Sequence, residues 1–170
     1  MKKTLLIVGY TLVHSIVFSQ PPGPGSYETN SNVDKLVGTW QWVSDTDTVE
    51  IRIQKLRHTI GFYDTDILLG THRYSKNGIT VQNTMGDLDD ILLDHKKNSV
   101  YLSNTNQGPN NFEGRIKDLT KNKSNVLKLL FIPGSPPQLA WHLEPTEKMA
   151  TDADFQYGVT LPEDIILTKQ

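Results

Sequence analysis

The segment Gly38-Thr39-Trp40-Gln41-Trp42-Val43 constrains the fold of this 170-residue chain more than any other feature. Side chains alternate between the two faces of a β-strand, so Trp40 and Trp42 point to the same side. A glycine that lets the chain turn, followed by two large aromatic residues on one face, is typical of the first strand of a small antiparallel barrel. This pattern predicts an architecture and leaves the function open.

The rest of the chain consists of short alternating segments separated by turn residues. Thr48–Lys55 is the clearest, because three β-branched residues alternate there with polar ones. Asn77-Gly78 predicts a type I′ hairpin, in which both central residues need positive φ. Further strands are predicted at 39–44, 58–63, 66–74, 79–83, 99–104, 112–119, 125–133, 139–144 and 165–169, with a helical turn at 33–37 and tight turns at 45–47 and 64–66. Strands and turns at this spacing indicate a barrel or a sandwich. Because closure removes exposed edge strands, we predict an all-β fold, an antiparallel up-and-down barrel of about 8–10 strands in which the last strand pairs with the first.

The amino terminus has the pattern of an export signal. Lys2 and Lys3 precede an apolar stretch, residues 4–18, which has the length of a signal-peptide core and is too short for a spanning helix. We predict a signal peptide over residues 1–19 and a secreted or periplasmic protein with no stable membrane insertion after cleavage. An uncleaved membrane anchor is the alternative.

The predicted mature chain has two parts. Residues 20–32 are rich in Pro, Gly, Ser and Asn, which predicts a flexible linker because such residues bury little apolar surface. A first strand or a plug that passes through Tyr27 is the alternative. Residues 33–170 have the size of one domain and are predicted to form the barrel.

Composition excludes several kinds of partner. The chain has 19 acidic and 17 basic residues, a net charge of −2 and no basic run. It therefore offers no electrostatic footprint for nucleic acid or for an anionic membrane surface. It also contains no cysteine, so the barrel has to be stable without disulfides.

No motif in the chain carries recognisable chemistry. His58, His72, His95 and His142 lack the spacing of a zinc site, and the paired aspartates of the loops lack the full spacing of a calcium loop. There is no nucleophile elbow and no phosphate-binding glycine loop. We predict no catalytic residue, no metal and no cofactor, and therefore a protein that is not an enzyme.

Three aromatic residues are the candidate binding residues. Trp42, Phe131 and Trp141 lie on the predicted inward faces of three strands, with Trp40 below them. Small barrels either fill their interior with their own side chains or enclose a ligand there. The same three residues are therefore either core or the walls of a pocket.

The opening strand also carries a family resemblance. Leu36-Val37-Gly38-Thr39-Trp40 resembles the Gly-x-Trp signature of lipocalin and avidin-like barrels. With the export signal and the terminal Leu161–Lys169, the chain resembles a family of small secreted bacterial proteins of unknown function with a lipocalin-like fold. The resemblance implies that Trp40 packs at the closed end of the barrel. The chain departs from the pattern in lacking a Thr-Asp-Tyr motif, the biotin contacts of avidins and a last-strand arginine to stack on Trp40, where Lys169 is the nearest basic residue.

Two functions follow from these observations. In the first, a lipocalin-like barrel binds a small hydrophobic ligand between Trp42, Phe131 and Trp141. In the second, the core is filled and the protein is a structural or interaction module. It would then meet a partner through the 20–32 segment or through outward residues, namely Arg52, Tyr101, Arg115 and Lys117.

Overall fold

The computed structural model describes residues 23–87, 98–104, 108–146 and 156–170. The predicted signal peptide, residues 1–19, lies outside this part of the chain. The described strands are β1 (Tyr27–Glu28), β2 (Gly38–Ser44), β3 (Asp47–Ile60), β4 (Tyr63–Lys76), β5 (Ile79–Asn83), β6 (Val100–Asn104), β7 (Asn111–Asp118), β8 (Lys123–Ile132), β9 (Gln138–Glu144) and β10 (Asp164–Lys169). Two 3₁₀ helices, Ser31–Leu36 and Met85–Asp87, complete the described elements.

Eight of these strands close into an antiparallel barrel. Each of β2, β3, β4 and β6–β10 pairs with the next of these strands, and β10 pairs with β2, so the order around the wall is up-and-down. This confirms the predicted all-β antiparallel barrel, including the pairing of the last strand with the first. β1 and β5 are additional strands that pair with β4.

The hairpin of β3 and β4 corrects one predicted turn. Residues 64–66 were predicted to separate two strands, but they lie inside β4, and the chain reverses at residues 61–62, where Gly61 has φ +63°. The two aspartates do not cap a turn. Asp64 accepts hydrogen bonds from Arg57 and Thr59 across the hairpin. The role of Asp64 therefore depends on cross-strand partners, which the local sequence does not reveal.

The Asn77-Gly78 hairpin forms as predicted. Both residues have positive φ, +52° and +73°, and join β4 to its return strand β5. The carboxylate of Asp47, the first residue of β3, accepts a hydrogen bond from the backbone N–H of Asn77 at 2.8 Å. Here the local chemistry of the turn decided the structure, because only a short φ-permissive pair fits a two-residue hairpin.

The segment predicted as a linker, residues 20–32, is described from Gly23 onward. Tyr27 and Glu28 pair in parallel with the start of β4. The Tyr27 hydroxyl donates to Asp66 Oδ1 at 2.6 Å, and the Asn30 backbone N–H donates to Asp66 Oδ2 at 2.9 Å. The Asp66 side chain is only 2% exposed, so its carboxylate anchors this segment to β4. Tyr27 and Glu28 form a short strand, the alternative named for this segment, and the flexible linker over residues 20–32 stays a prediction.

The barrel interior is occupied by apolar side chains. The inward positions of all eight strands contribute to one core, whose largest members with almost no exposed surface include Trp40, Trp141 and Phe112. One end of the barrel, the closed end, is covered by the first 3₁₀ helix, which buries Val33 and Leu36. At the opposite end the segment 156–163 packs Leu161 into the same core.

Candidate functional site

Gly38, Trp40 and Lys169 form the closed end. Gly38 has φ +129°, and a Cβ there would lie 3.0 Å from Lys169 Cε. The Lys169 ammonium lies 5.2 Å from the centroid of the Trp40 ring, a cation–π distance. The indole N–H of Trp40 donates to the Leu36 carbonyl at 2.8 Å. Lys169 therefore stands where the resemblance implies an arginine, and this cluster closes the barrel.

The three predicted binding residues all face inward but lie at different heights. Phe131 packs edge-to-face on Trp40 near the closed end, with 6.3 Å between ring centroids. Trp141 is 2% exposed, and its indole N–H donates to the Pro162 carbonyl at 3.0 Å. Trp42 is half-buried and pairs with Val49 near the opposite end. The structure spreads these side chains along the barrel axis.

A buried polar cluster lies inside the wall near the opposite end. His72 Nδ1 is 2.8 Å from Ser99 Oγ, and His72 Nε2 is 3.0 Å from Gln82 Oε1. Gln82 Nε2 donates to Asp118 Oδ1 at 2.8 Å, and Asp118 Oδ2 accepts from the backbone N–H of Thr160 at 2.6 Å. Burial lowers the pKa of His72 more than hydrogen bonding to Gln82 and the charge of Asp118 raise it. Both ring nitrogens of His72 have hydrogen-bond partners. The hydrogen bonds of the cluster join β4, β5, β7 and the segment 156–163.

A depression of about 400 Å³ lies on the outer face of β7–β10. Its surface is built from two parallel rows of outward side chains that cross these strands. The apolar row consists of Leu130, Ala140 and Ile166, and the charged row consists of Glu113, Lys128, His142 and Asp164. Leu130 and Ile166 are each 44% exposed, and the small Ala140 between them leaves the space.

Both nitrogen-bearing side chains of the charged row, Lys128 and His142, have carboxylate partners. Lys128 Nζ is 2.5 Å from Glu144 Oε1, and His142 Nδ1 is 2.6 Å from Asp164 Oδ1. His142 Nε2 is also 3.5 Å from Glu144 Oε1. The hydrogen bond to Asp164 is the main cause that raises the pKa of His142, and the bond to Glu144 does the same for the pKa of Lys128. The row thus presents more carboxylates than ammonium groups to the depression.

The sequence contained a partial signal for this site. Lys128, Leu130 and Ile132 share the outward face of β8, opposite to the inward Leu127 and Leu129. Apolar residues on both faces of a strand indicate that the outer face also contacts something. The neighbours of this row from β9 and β10 depend on the strand register, which local alternation does not fix.

The outward residues predicted for a protein partner do not line this depression, although Arg115 follows Glu113 by two residues on the same face of β7. Arg52, Tyr101, Arg115 and Lys117 are exposed, and Arg52 bonds to Glu50 at 3.3 Å. Within residues 23–87, 98–104, 108–146 and 156–170, no three His, Asp or Glu side chains converge as metal ligands. In the same ranges no helix has the length and apolar character needed to cross a membrane.

Comparison with known proteins places the chain in a family. The model of a family of unknown function, DUF6705, matches residues 1–170. The chain belongs to the DUF6705 family. Membership agrees with the expectation that the family has no known function, and it assigns no activity. No curated protein and no solved structure matches this DUF6705 chain.

Proposed function

We propose that this DUF6705 protein is an exported binding protein for a small amphipathic molecule, which it holds in the depression outside the barrel wall. The observation that carries this proposal is the apolar row of Leu130, Ala140 and Ile166 beside a charged row, around a volume of about 400 Å³. Binding sites for small molecules have volumes of about 300–1,000 Å³ and combine apolar walls with a few polar groups.

The packing of the interior supports an outer site over the predicted inner one. Trp141 is buried and hydrogen-bonded, and Phe131 packs on Trp40, so moving either ring would disrupt core contacts. In the depression, by contrast, Leu130 and Ile166 already expose apolar surface to water. Covering that surface is favourable by about 25 cal/mol per Å².

Nuclear magnetic resonance of the ¹⁵N-labelled protein tests this proposal with octyl glucoside below its micellar concentration as a neutral amphipathic probe. We expect saturable shifts at the backbone amides of Ala140 and Ile166. Ala140→Phe fills the depression and should abolish these shifts. Val43→Phe is the matched control, because Val43 is 60% exposed on the outer face of β2 and does not line the depression.

Two results would contradict an outer site. One is a shift of the Trp42 indole signal with Ala140 unchanged, which would favour the predicted interior site. The other is equal binding by Ala140→Phe and the wild-type protein. Absence of any saturable shift would remove the small-molecule proposal altogether.

A further inference from the structure

We infer that the depression selects amphipathic molecules whose polar end is a cation, such as an alkylammonium group. This inference rests on the proposed binding function and names its ligand class. It is carried by the composition of the charged row and by the order of the two rows across the four strands.

The charges around the depression are unequal in number. Glu113 and Asp164 line it from β7 and β10, at the two ends of the charged row, and Glu144 stands beside the row on β9. The only lysine of the row is Lys128, and its ammonium is 2.5 Å from the Glu144 carboxylate. When His142 is neutral, two carboxylates that line the depression, Glu113 and Asp164, therefore face one ammonium, Lys128, which is already paired with Glu144.

The Asp164 carboxylate is placed where the cationic end of a ligand would lie. Asp164 is 75% exposed at its side chain, and His142 Nδ1 lies near one of its two carboxylate oxygens, Oδ1. A cation that approached from solvent could contact the other oxygen while its alkyl chain lay along Ile166 and Ala140, since Ile166 follows Asp164 by two residues on the same face. An anion in the same pose would face Asp164 and Glu113 and be repelled.

Paired probes of equal chain length separate charge from apolar contact. Octylammonium and octanoate would be titrated at pH 8.5, where both probes are ionised, and mapped through the amides of Ala140 and Ile166. We expect octylammonium to bind at least about three-fold more tightly than octanoate, the size of effect that exposed ion pairs produce. The preference should shrink as salt is raised, because these charges are exposed.

Variants locate the preference in the charged row. Asp164→Asn and Glu113→Gln should each weaken octylammonium binding about two-fold and leave octyl glucoside binding unchanged. Lys128→Gln should act in the opposite direction on octylammonium. Asp45→Asn, in the turn between β2 and β3, is the control for the general negative charge of the protein.

The possible results distinguish the cation preference from the proposed outer binding site. Equal binding of the two ions at Ala140, or tighter binding of octanoate, would overturn the cation preference and leave the outer site standing. Octylammonium shifts that survive Ala140→Phe would show attraction to the surface at large and overturn the inference too. If octyl glucoside also fails to bind, the proposed function itself fails.

Discussion

At the scale of single residues, Gly38, Trp40 and Lys169 pack against one another at the closed end of the barrel. Gly38 brings the backbone into a left-handed conformation that other residues rarely adopt, and its lack of a side chain leaves room for Lys169. Lys169 in turn places its ammonium over the Trp40 ring and donates to the Lys35 carbonyl at 3.4 Å. Two residues of the opening motif, Gly38 and Trp40, thus contact a lysine at the other end of the chain.

We predict that Gly38→Ala destabilises the fold by about 1–3 kcal/mol. Alanine would have to adopt positive φ and its Cβ would press on Lys169 Cε, so two penalties add. Urea unfolding followed by tryptophan fluorescence measures the change. Gly86→Ala is the control, because its Cβ would meet no atom within 4 Å and it should change stability by less than about 0.5 kcal/mol. Equal stability of the two variants would show that Gly38 is not constrained.

At the scale of elements, polar side chains hold the end of the barrel opposite to the closed one. Asp118 is the last residue of β7, and its carboxylate accepts a hydrogen bond from the side chain of Gln82 on β5. It also accepts from two backbone N–H groups, that of Lys121 in the following turn and that of Thr160 in the segment 156–163. These partners belong to three different elements. One buried carboxylate therefore fixes how they meet.

We predict that Asp118→Ala lowers the free energy of unfolding by about 3 kcal/mol, because it leaves one buried and two partly buried donors without this acceptor, and an unsatisfied buried donor costs about 1–3 kcal/mol. Asp118→Asn should cost less, since it keeps one acceptor oxygen. Urea unfolding measures both, and amide hydrogen exchange should become faster at Lys121 and Thr160. An alanine variant with unchanged exchange at Thr160 would refute this role. Asp164→Ala is the exposed control, with an expected change below about 0.5 kcal/mol.

At the scale of the whole molecule, closure of the barrel separates a packed interior from an outer face that carries a depression. The inward faces meet one another and bury Trp40, Phe112 and Trp141, whereas the outward faces of β7–β10 leave an apolar row next to a charged row. The two histidines follow the same division. His72 lies fully buried in the wall, and His142 lies exposed beside the depression.

We predict that the molecule loses stability on mild acidification. The folded-state pKa of His72 is lowered by burial, so the unfolded chain binds the proton more readily. Stability should therefore fall as the pH drops below about 6.5, the ordinary histidine pKa. The raised pKa of His142 acts in the opposite direction, since its contribution is present at low pH and lost as the pH rises through its folded value. Solvent screens that exposed group, so the buried histidine should dominate.

Urea unfolding at pH 7 and pH 5 tests this pH dependence. The wild-type protein should lose more stability between these values than His72→Gln, which carries no titrating group at this position. The imidazole signals of the wild-type protein provide a second measurement that needs no variant. A His72 titration midpoint above 6.5 would contradict the prediction, as would an equal loss of stability in both proteins.

Much of the fold followed from the sequence because alternation and turn chemistry are local. The Asn77-Gly78 hairpin, the inward faces of β3, β8 and β9 and the pairing of the last strand with the first all formed as predicted. The turn predicted at residues 64–66 was wrong because Asp64 bonds across the hairpin to Arg57. Its carboxylate accepts a hydrogen bond from a residue on another strand, and no local sequence pattern reveals this pairing.

The sequence by itself determined that this protein is built from short β-strands, since the period of its apolar residues and its turn residues specify strands and their buried faces. Only the tertiary structure decided that Lys169 covers Trp40 and that Ala140 lies between Leu130 and Ile166. These contacts depend on strand register and on closure, which bring together residues far apart in the chain. Alternation tells which side a residue faces, and register tells which residues it meets there.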